Sequence, residues 1–116
     1  MPEPTREIIR AGGLGFVWGL GPSDPANDRA PLPESVEAQV QQILSNLDSL
    51  LLAQGMDRGH VVSTRVNLTQ FPRFEKRARR ILDVEFTGAA AASLSWVGVT
   101  HLPGDALLSM DFVLRL

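Results

Sequence analysis

The chain has 116 residues, of which 44% are hydrophobic, and a formal net charge of −2. This length predicts one domain, residues 1–116, with a core of its own. Without a basic excess there is no reason to expect nucleic acid or an anionic membrane as a partner. The absence of cysteine excludes disulfides and thiolate chemistry. No apolar run reaches the roughly 18 residues that span a bilayer, and the N-terminus lacks a secretory layout. We therefore expect a soluble, cytoplasmic protein.

The first half of the chain predicts two strands, a long loop and a helix. Apolar runs at 6–10 and 14–20 flank Gly12 and Gly13, which favours a strand, a turn and a strand. Residues 21–33 hold four of the eight prolines and predict a loop. From 34 to 54 apolar residues recur with a helical period, with Pro33 at the first position and Gly55 just after the end. This apolar stripe consists of Val36, Val40, Ile43, Leu44, Leu47 and Leu51.

The second half predicts a strand, a helix and two more strands. Residues 60–69 alternate between two faces, as in a half-buried strand. The predicted core face carries Val62, Thr64, Val66 and Leu68, and the opposite face carries Ser63, Arg65, Asn67 and Thr69. Pro72 opens a second helix, whose predicted inner face consists of Phe74, Ala78, Ile81 and Leu82. Residues 94–101 and 106–114 are the last two strands, joined by a Leu-Pro-Gly-Asp turn.

This order of elements, ββαβαββ, predicts a two-layer α+β domain in which one mixed sheet carries both helices on the same face. The other face of the sheet is then uncovered. In the last strand it carries Ser109, Asp111 and Val113. A face that mixes polar and apolar residues meets either water or other subunits.

Several local patterns have a structural interpretation that is more common than the functional one. The glycines between 12 and 21 lack the spacing of a nucleotide-binding loop and are read as turn residues. Residues 73–80, "RFEKRARR", contain five basic residues, which is conceivable for RNA contact but more typical of a solvated helix face. His60 and His101 have no companion at metal-ligand spacing, so we expect no metal. His101 as a general base is the minority interpretation of a histidine near a turn.

Arg65 and Asp111 are the most informative charged residues. Each lies in the middle of a predicted strand, on the uncovered face. Arginine is the usual partner for bidentate binding of a carboxylate, which a ligand would supply. The competing interpretation, which we favour slightly, is an ion pair between Arg65 and Asp111 or another subunit's carboxylate.

The stretch from 36 to 114 resembles the Rid family, also called YjgF or L-PSP endoribonuclease. The features that match are Gln39 and Asn46 on the first helix, Gly55, the strand "VV.T.V.L", Phe74 and the segment "V.V..LP.....S.D". The segment "FVWGLGPSDP" resembles the family's second strand and the turn after it, with Gly19 in place.

The resemblance implies a chorismate-mutase-like fold and a homotrimer whose sheets form a central barrel, with ligand clefts between subunits. It also implies hydrolysis of imines and enamines to ketones and ammonia, with an arginine holding the substrate carboxylate and a glutamate positioning water. This sequence departs from that pattern. The arginine position is Leu94, the glutamate position is Ser109, the serine of the second strand is Trp18 and the asparagine of the second helix is Ala78.

Two functions therefore remain open. The first is a diverged imine or enamine deaminase that takes a small, more apolar substrate, with Arg65 as a replacement clamp. The second is a non-catalytic trimeric binding or accessory protein, and the RNA cleavage of the old family name comes third. We expect no cofactor, and a small molecule as the ligand. The candidate cleft residues are Trp18, Arg65, Ser93, Leu94, Trp96, His101, Ser109 and Asp111.

Overall fold

A computed structural model describes residues 8–88 and 93–116. The elements are β1 (Ile9–Ala11), β2 (Leu14–Leu20), α1 (Val36–Ala53), β3 (Val61–Leu68), α2 (Phe71–Glu85), β4 (Leu94–Gly98) and β5 (Leu108–Arg115). Two short 3₁₀ turns, Arg58–His60 and Pro103–Asp105, precede β3 and β5. The predicted order of strands and helices is confirmed.

The five strands form one mixed sheet in the order β1-β2-β5-β3-β4. Only β3 and β4 pair in parallel, because α2 carries the chain back between them. Both helices cover the same face of the sheet, which we call the inner face, and the opposite face is the outer face. Inner-face side chains and the apolar stripes of the helices form one core, which includes Val17, Ile43, Leu47, Val66, Leu82, Met110 and Phe112.

Helix α1 begins at Val36, so the predicted start at Pro33 was three residues early and the predicted periodic segment from Glu34 was two residues early. The reason is Ser35, whose side chain accepts a hydrogen bond from the backbone N–H of Ala38 at 3.0 Å and caps the helix. The predicted end is confirmed. Gly55 has a φ of +70°, and the N–H of Met56 reaches back to the carbonyl of Leu51 at 2.8 Å, as in a Schellman cap.

Strand β3 differs from the prediction at its start. Val61, and not Val62, is fully buried, because the pairing of β3 with β5 shifts by one residue between Val61 and Ser63. Beyond this bulge the predicted faces are confirmed, with Thr64, Val66 and Leu68 buried.

Strand β4 is shorter than predicted and ends at Gly98 instead of 101. Among the described strands it is an edge strand that pairs with β3 alone, and β3 ends at Leu68. The last link between them is the N–H of Val99, which donates to the carbonyl of Leu68 at 3.0 Å. Strand β4 therefore ends where β3, the strand that it pairs with, also ends.

Arg58, in the turn before β3, connects the two helices. Its Nε lies 2.8 Å from Asp48 Oδ1 on α1, and its Nη1 lies 2.9 Å from Glu85 Oε2 at the end of α2. The hydrogen bonds to Asp48 and Glu85 hold the pKa of Arg58 above its ordinary value. This ion pair network belongs to the scaffold and lies away from the outer face.

Candidate functional site

Arg65 and Asp111 lie directly opposite each other on β3 and β5, on the outer face. Arg65 Nε lies 3.0 Å and Arg65 Nη2 2.9 Å from Asp111 Oδ2. The Arg65 side chain is 51% exposed, whereas that of Asp111 is only 7% exposed. The ion pair that the sequence favoured is therefore present within one chain.

Asp111 accepts hydrogen bonds from two further groups. The backbone N–H of Gly19 donates to Oδ1 at 2.6 Å, and Asn67 Nδ2 donates to Oδ2 at 3.1 Å. Asn67 Nδ2 also lies 3.3 Å from Ser109 Oγ. The Asp111 carboxylate thus joins three strands, β2, β3 and β5. A nearly buried carboxylate that accepts this many bonds has a structural role.

The contact between Gly19 and Asp111 fixes an irregularity in β2. Val17 pairs with Phe112 and Leu20 with Met110, so two residues, Trp18 and Gly19, lie opposite one. Gly19 has a φ of +62°, a conformation that glycine adopts without strain. Trp18 stacks on Phe16, with ring centroids 5.6 Å apart, and remains exposed on the outer face.

An open groove of about 400 Å³ begins at this bulge. One wall is the loop after β2, and the other is the turn before β5. The lining consists of Gly19, Gly21, Pro22, Ser23, Asp28, Ala30, Pro31, Leu32, Leu102, Pro103, Gly104, Ala106 and Ser109. Ser109 is 7% exposed and is the only one of the eight predicted cleft residues in this lining.

Two buried amide side chains on α1 hold the walls of the groove. Asn46 Nδ2 donates to the carbonyls of Gly21 and Ser23 at 3.1 and 2.8 Å. Gln39 Nε2 donates to the carbonyl of Pro33 at 2.8 Å, and its Oε1 accepts from the N–H of Leu107 at 2.9 Å. These contacts satisfy backbone groups of the two walls that neither strands nor helices satisfy. They explain why polar residues interrupt an otherwise apolar helix stripe.

Leu94 and Trp96 lie on the inner side of the sheet, because β4 pairs Leu94 with Thr64 and Trp96 with Val66. The Trp96 ring meets Phe71 of α2 edge to face at 6.3 Å, and the Arg79 guanidinium lies 4.5 Å from its centroid. Trp96 Nε1 is buried and has no hydrogen-bond partner among residues 8–88 and 93–116. Ser93 Oγ donates to the carbonyl of Val62 at 2.6 Å.

Neither histidine lies in the groove. His60 Nδ1 lies 3.3 Å from the N–H of Asp57 and closes a capping box with it, as expected of a capping histidine. His101 is largely exposed, 3.7 Å from the equally exposed Asp105. Within the described part of the chain, no three His, Cys, Asp or Glu side chains cluster as a metal site would require.

The basic stretch on α2 makes contacts within the chain. Arg77 forms two hydrogen bonds with Glu37 of α1, at 2.7 and 2.8 Å. Arg79 pairs with Glu75 at 2.8 Å, four residues earlier on the same helix. These contacts are typical of the solvated helix face that the sequence indicated.

The predicted residues thus form two groups within one chain. Arg65, Ser109 and Asp111 share the outer face and the network around Asp111, and Trp18 lies in the bulge beside it. Ser93, Leu94 and Trp96 belong to the edge strand and its approach, and His101 to the loop beyond it.

Sequence reasoning missed two residues as site candidates. Asn67 could have been found, because it alternates with Arg65 on the same strand face. Asp28, in a loop rich in proline, carries no local signal.

Neither helix has the length and apolar character that a membrane span requires, as far as residues 8–88 and 93–116 are concerned.

Residues 4–114 match the family described as endoribonuclease L-PSP. A RutC family protein of Synechocystis is 33% identical over 110 residues, which cover 95% of this chain and 84% of that protein. The chloroplastic Reactive Intermediate Deaminase A of Arabidopsis thaliana is 29% identical over 113 residues, which cover 97% of this chain and 59% of that protein.

A solved structure of a Rid family protein is also similar to this chain. YyfA from Yersinia pestis, a Rid family protein of unknown function, aligns with a TM-score of 0.84 at 26% identity, over 100% of this chain and 90% of that chain. The chain therefore belongs to the endoribonuclease L-PSP family, which is the Rid or YjgF family, and has its two-layer chorismate-mutase-like fold.

Proposed function

We propose that this protein binds a small metabolite in the groove beside Ser109 and processes it as a diverged imine or enamine deaminase, a hydrolase. The observation that carries the proposal is the groove itself. Its volume of about 400 Å³ suits a small molecule, and its walls combine apolar side chains with a nearly buried hydroxyl. Membership in the Rid family, with a relative named Reactive Intermediate Deaminase A, supports the reaction class.

In the proposed reaction, water adds to the carbon of a C=N bond and the nitrogen takes up a proton. The resulting carbinolamine collapses to a carbonyl compound and releases ammonia. The groove offers the Ser109 hydroxyl to orient the substrate and the Asp28 carboxylate to accept a proton from the attacking water. Leu94 and Ser109 are neutral, so they supply neither the cation nor the carboxylate that the family mechanism uses at these positions.

We propose further that the chain assembles as a homotrimer through its outer face, which brings the edge strand of one subunit towards the groove of the next. Three exposed apolar residues of the outer face support this, namely Leu14, Trp18 and Val97. Trp18 precedes Gly19 and Val97 lies opposite Asn67, so these two flank the Asp111 network. Exposed apolar patches of this kind mark association surfaces. Analytical ultracentrifugation of Val97→Asp should show single chains, whereas Val84→Asp, at an exposed position of α2, should leave trimers. Monomeric wild-type protein would refute the assembly.

The proposed activity is tested with freshly generated imines, by following the release of the carbonyl product against buffer. Wild-type protein should accelerate release, and Ser109→Ala should reduce the acceleration by about tenfold or more, as loss of a positioned hydrogen-bond donor does. Ser49→Ala removes a hydroxyl from an exposed position of α1 outside the groove and serves as the matched control. Equal rates for wild type and Ser109→Ala would exclude a role for this hydroxyl.

The second candidate is a non-catalytic binding protein of the same fold, which the neutral Leu94 and Ser109 favour. It predicts that ligands bind in the groove while no imine is hydrolysed faster than in buffer. Arg65 as a replacement clamp has less support, since its Nε donates to Asp111 Oδ2 and its Nη2 lies 2.9 Å from the same oxygen. RNA cleavage has no support among the described residues, because none of their histidines lines the groove.

A further inference from the structure

The side chains that line the groove carry negative charge and no positive charge, as far as residues 8–88 and 93–116 are concerned. Among the described residues, Asp28 is the only ionisable side chain in the lining, and no lysine, arginine or histidine of these residues belongs to it. Arg29 follows Asp28 in the sequence but does not line the groove. The guanidinium of Arg65, on the outer face, is paired with Asp111. The strand that the proposed assembly would bring towards the groove, Leu94–Gly98, carries no charged side chain either. The described residues therefore offer a ligand one negative charge and no positive one.

The remaining walls are mostly apolar. They are built from the aliphatic and proline side chains Pro22, Ala30, Pro31, Leu32, Leu102, Pro103 and Ala106. Transferring a carboxylate from water to such walls without a cation or several donors costs free energy. A protonated imine, in contrast, is attracted by a nearby carboxylate. Ser23 and Ser109 each offer one hydroxyl, which is a donor for a neutral acceptor and does not balance a full charge.

We propose that the groove selects imines that carry no carboxylate, in neutral or protonated form, and disfavours imino acids. This inference rests on the proposed function and names its substrate class. In it Asp28 stabilises the protonated imine and takes a proton from the attacking water, which gives a carbinolamine. Asp28 then returns this proton to the nitrogen. The C–N bond breaks as the hydroxyl loses its proton and becomes the carbonyl, and the nitrogen leaves as ammonium. The reaction that supplies such a substrate is the two-electron oxidation of a primary amine, since oxidation of an amino acid would leave a carboxylate on the product.

A matched pair of substrates tests the selection. The imine made from 3-methylbutylamine by an amine oxidase and the imine made from leucine by an amino acid oxidase differ by the carboxylate. We expect the full-length protein to accelerate hydrolysis of the first at least about tenfold more than that of the second. Equal acceleration, or a preference for the leucine-derived imine, would overturn the substrate class and leave the proposed deaminase activity standing.

If neither imine is hydrolysed, binding of chemically stable ligands tests the same selection. NMR titrations with 3-methylbutylamine and with 4-methylpentanoate compare an ammonium and a carboxylate on similar carbon skeletons. Shifts at Ser109 and its neighbours with the amine alone would support the same selection in a binding protein. Tighter binding of the carboxylate would overturn the selection only. If neither ligand shifts groove residues, both the proposed function and the inference fail.

Asp28→Asn tests whether the lining carboxylate causes the preference. We expect the ratio between the two substrates, or the two ligands, to fall by about two- to tenfold, as for one charge near a solvent-exposed site. Asp83→Asn removes the same charge from an exposed position on α2 outside the groove and should leave the ratio unchanged. Both sites are exposed, so both variants should fold. A ratio that Asp28→Asn does not change would contradict the assignment.

Discussion

The inner and outer faces of the sheet are built from the same strands on different principles. On the inner face of β5, Met110 and Phe112 are fully buried against the two helices. On its outer face, Ser109 and Asp111 are nearly buried but polar, and they are held by hydrogen bonds from β2 and β3. The inner face therefore gains its stability from burial of apolar area, and the outer face from pairing of polar groups. Only the second arrangement leaves chemical groups next to a groove.

The largest effect expected from this comparison is at Phe112. It has no exposed surface and meets Phe86 edge to face at 6.2 Å, so Phe112→Ala should lower the free energy of unfolding by about 3–5 kcal/mol. Val113→Ala, at the next residue but on the outer face and only partly buried, is the matched control and should cost less than about 1.5 kcal/mol. Urea unfolding monitored by circular dichroism measures both. Similar costs at the two positions would show that the outer face is as tightly packed as the inner one.

Asp111 should give the second largest effect. Asp111→Ala removes the acceptor of Gly19, Arg65 and Asn67 together, so we expect a loss of about 2–4 kcal/mol in stability. The bulge that presents Trp18 should loosen as well, which a change in Trp18 fluorescence in a Trp96→Phe background reports. Arg65→Ala leaves the other two donors in place and should cost only about 1 kcal/mol. If Asp111→Ala costs no more than Arg65→Ala, the bond to Gly19 does not contribute.

The sequence predicts the inner face better than the outer one for a physical reason. Helical and alternating periodicity reports which side chains leave water, so it locates residues such as Val40, Val66 and Leu82 correctly. It also places Arg65 and Asp111 on the same face. Their pairing, however, depends on the register between β3 and β5, which local patterns do not encode.

The groove lies outside what local patterns can predict. Its loop wall takes its course from Asn46, which bonds to carbonyls more than 20 residues earlier in the chain. The resemblance singled out Gln39 and Asn46, but only the structure shows that their amides hold the two walls. Local patterns also do not predict the positions of Leu94 and Trp96, because the parallel register with β3 sets them on the inner side of the sheet.

The smallest expected effect concerns the ion pair between the two helices that cover the inner face. Arg77, through its hydrogen bonds, together with a backbone N–H, lowers the pKa of Glu37 from 4.5 to about 2. Because the folded-state pKa is lower than the unfolded one, the pair stabilises fully above about pH 4.5, and this contribution is lost as pH falls towards 2.

Glu37→Gln should therefore destabilise the protein at neutral pH, and the difference from wild type should disappear near pH 2. Both side chains are about two-fifths exposed, so solvent screening limits the effect to about 0.2–1 kcal/mol. Melting temperatures of the two proteins across this pH range measure it, and added salt should reduce it. Glu34→Gln removes a charge from the same end of α1 without removing an ion pair of the described residues, and controls for net charge. A difference that stays constant from pH 7 to pH 2 would show that the helix pair depends on packing alone, as the rest of the inner face does.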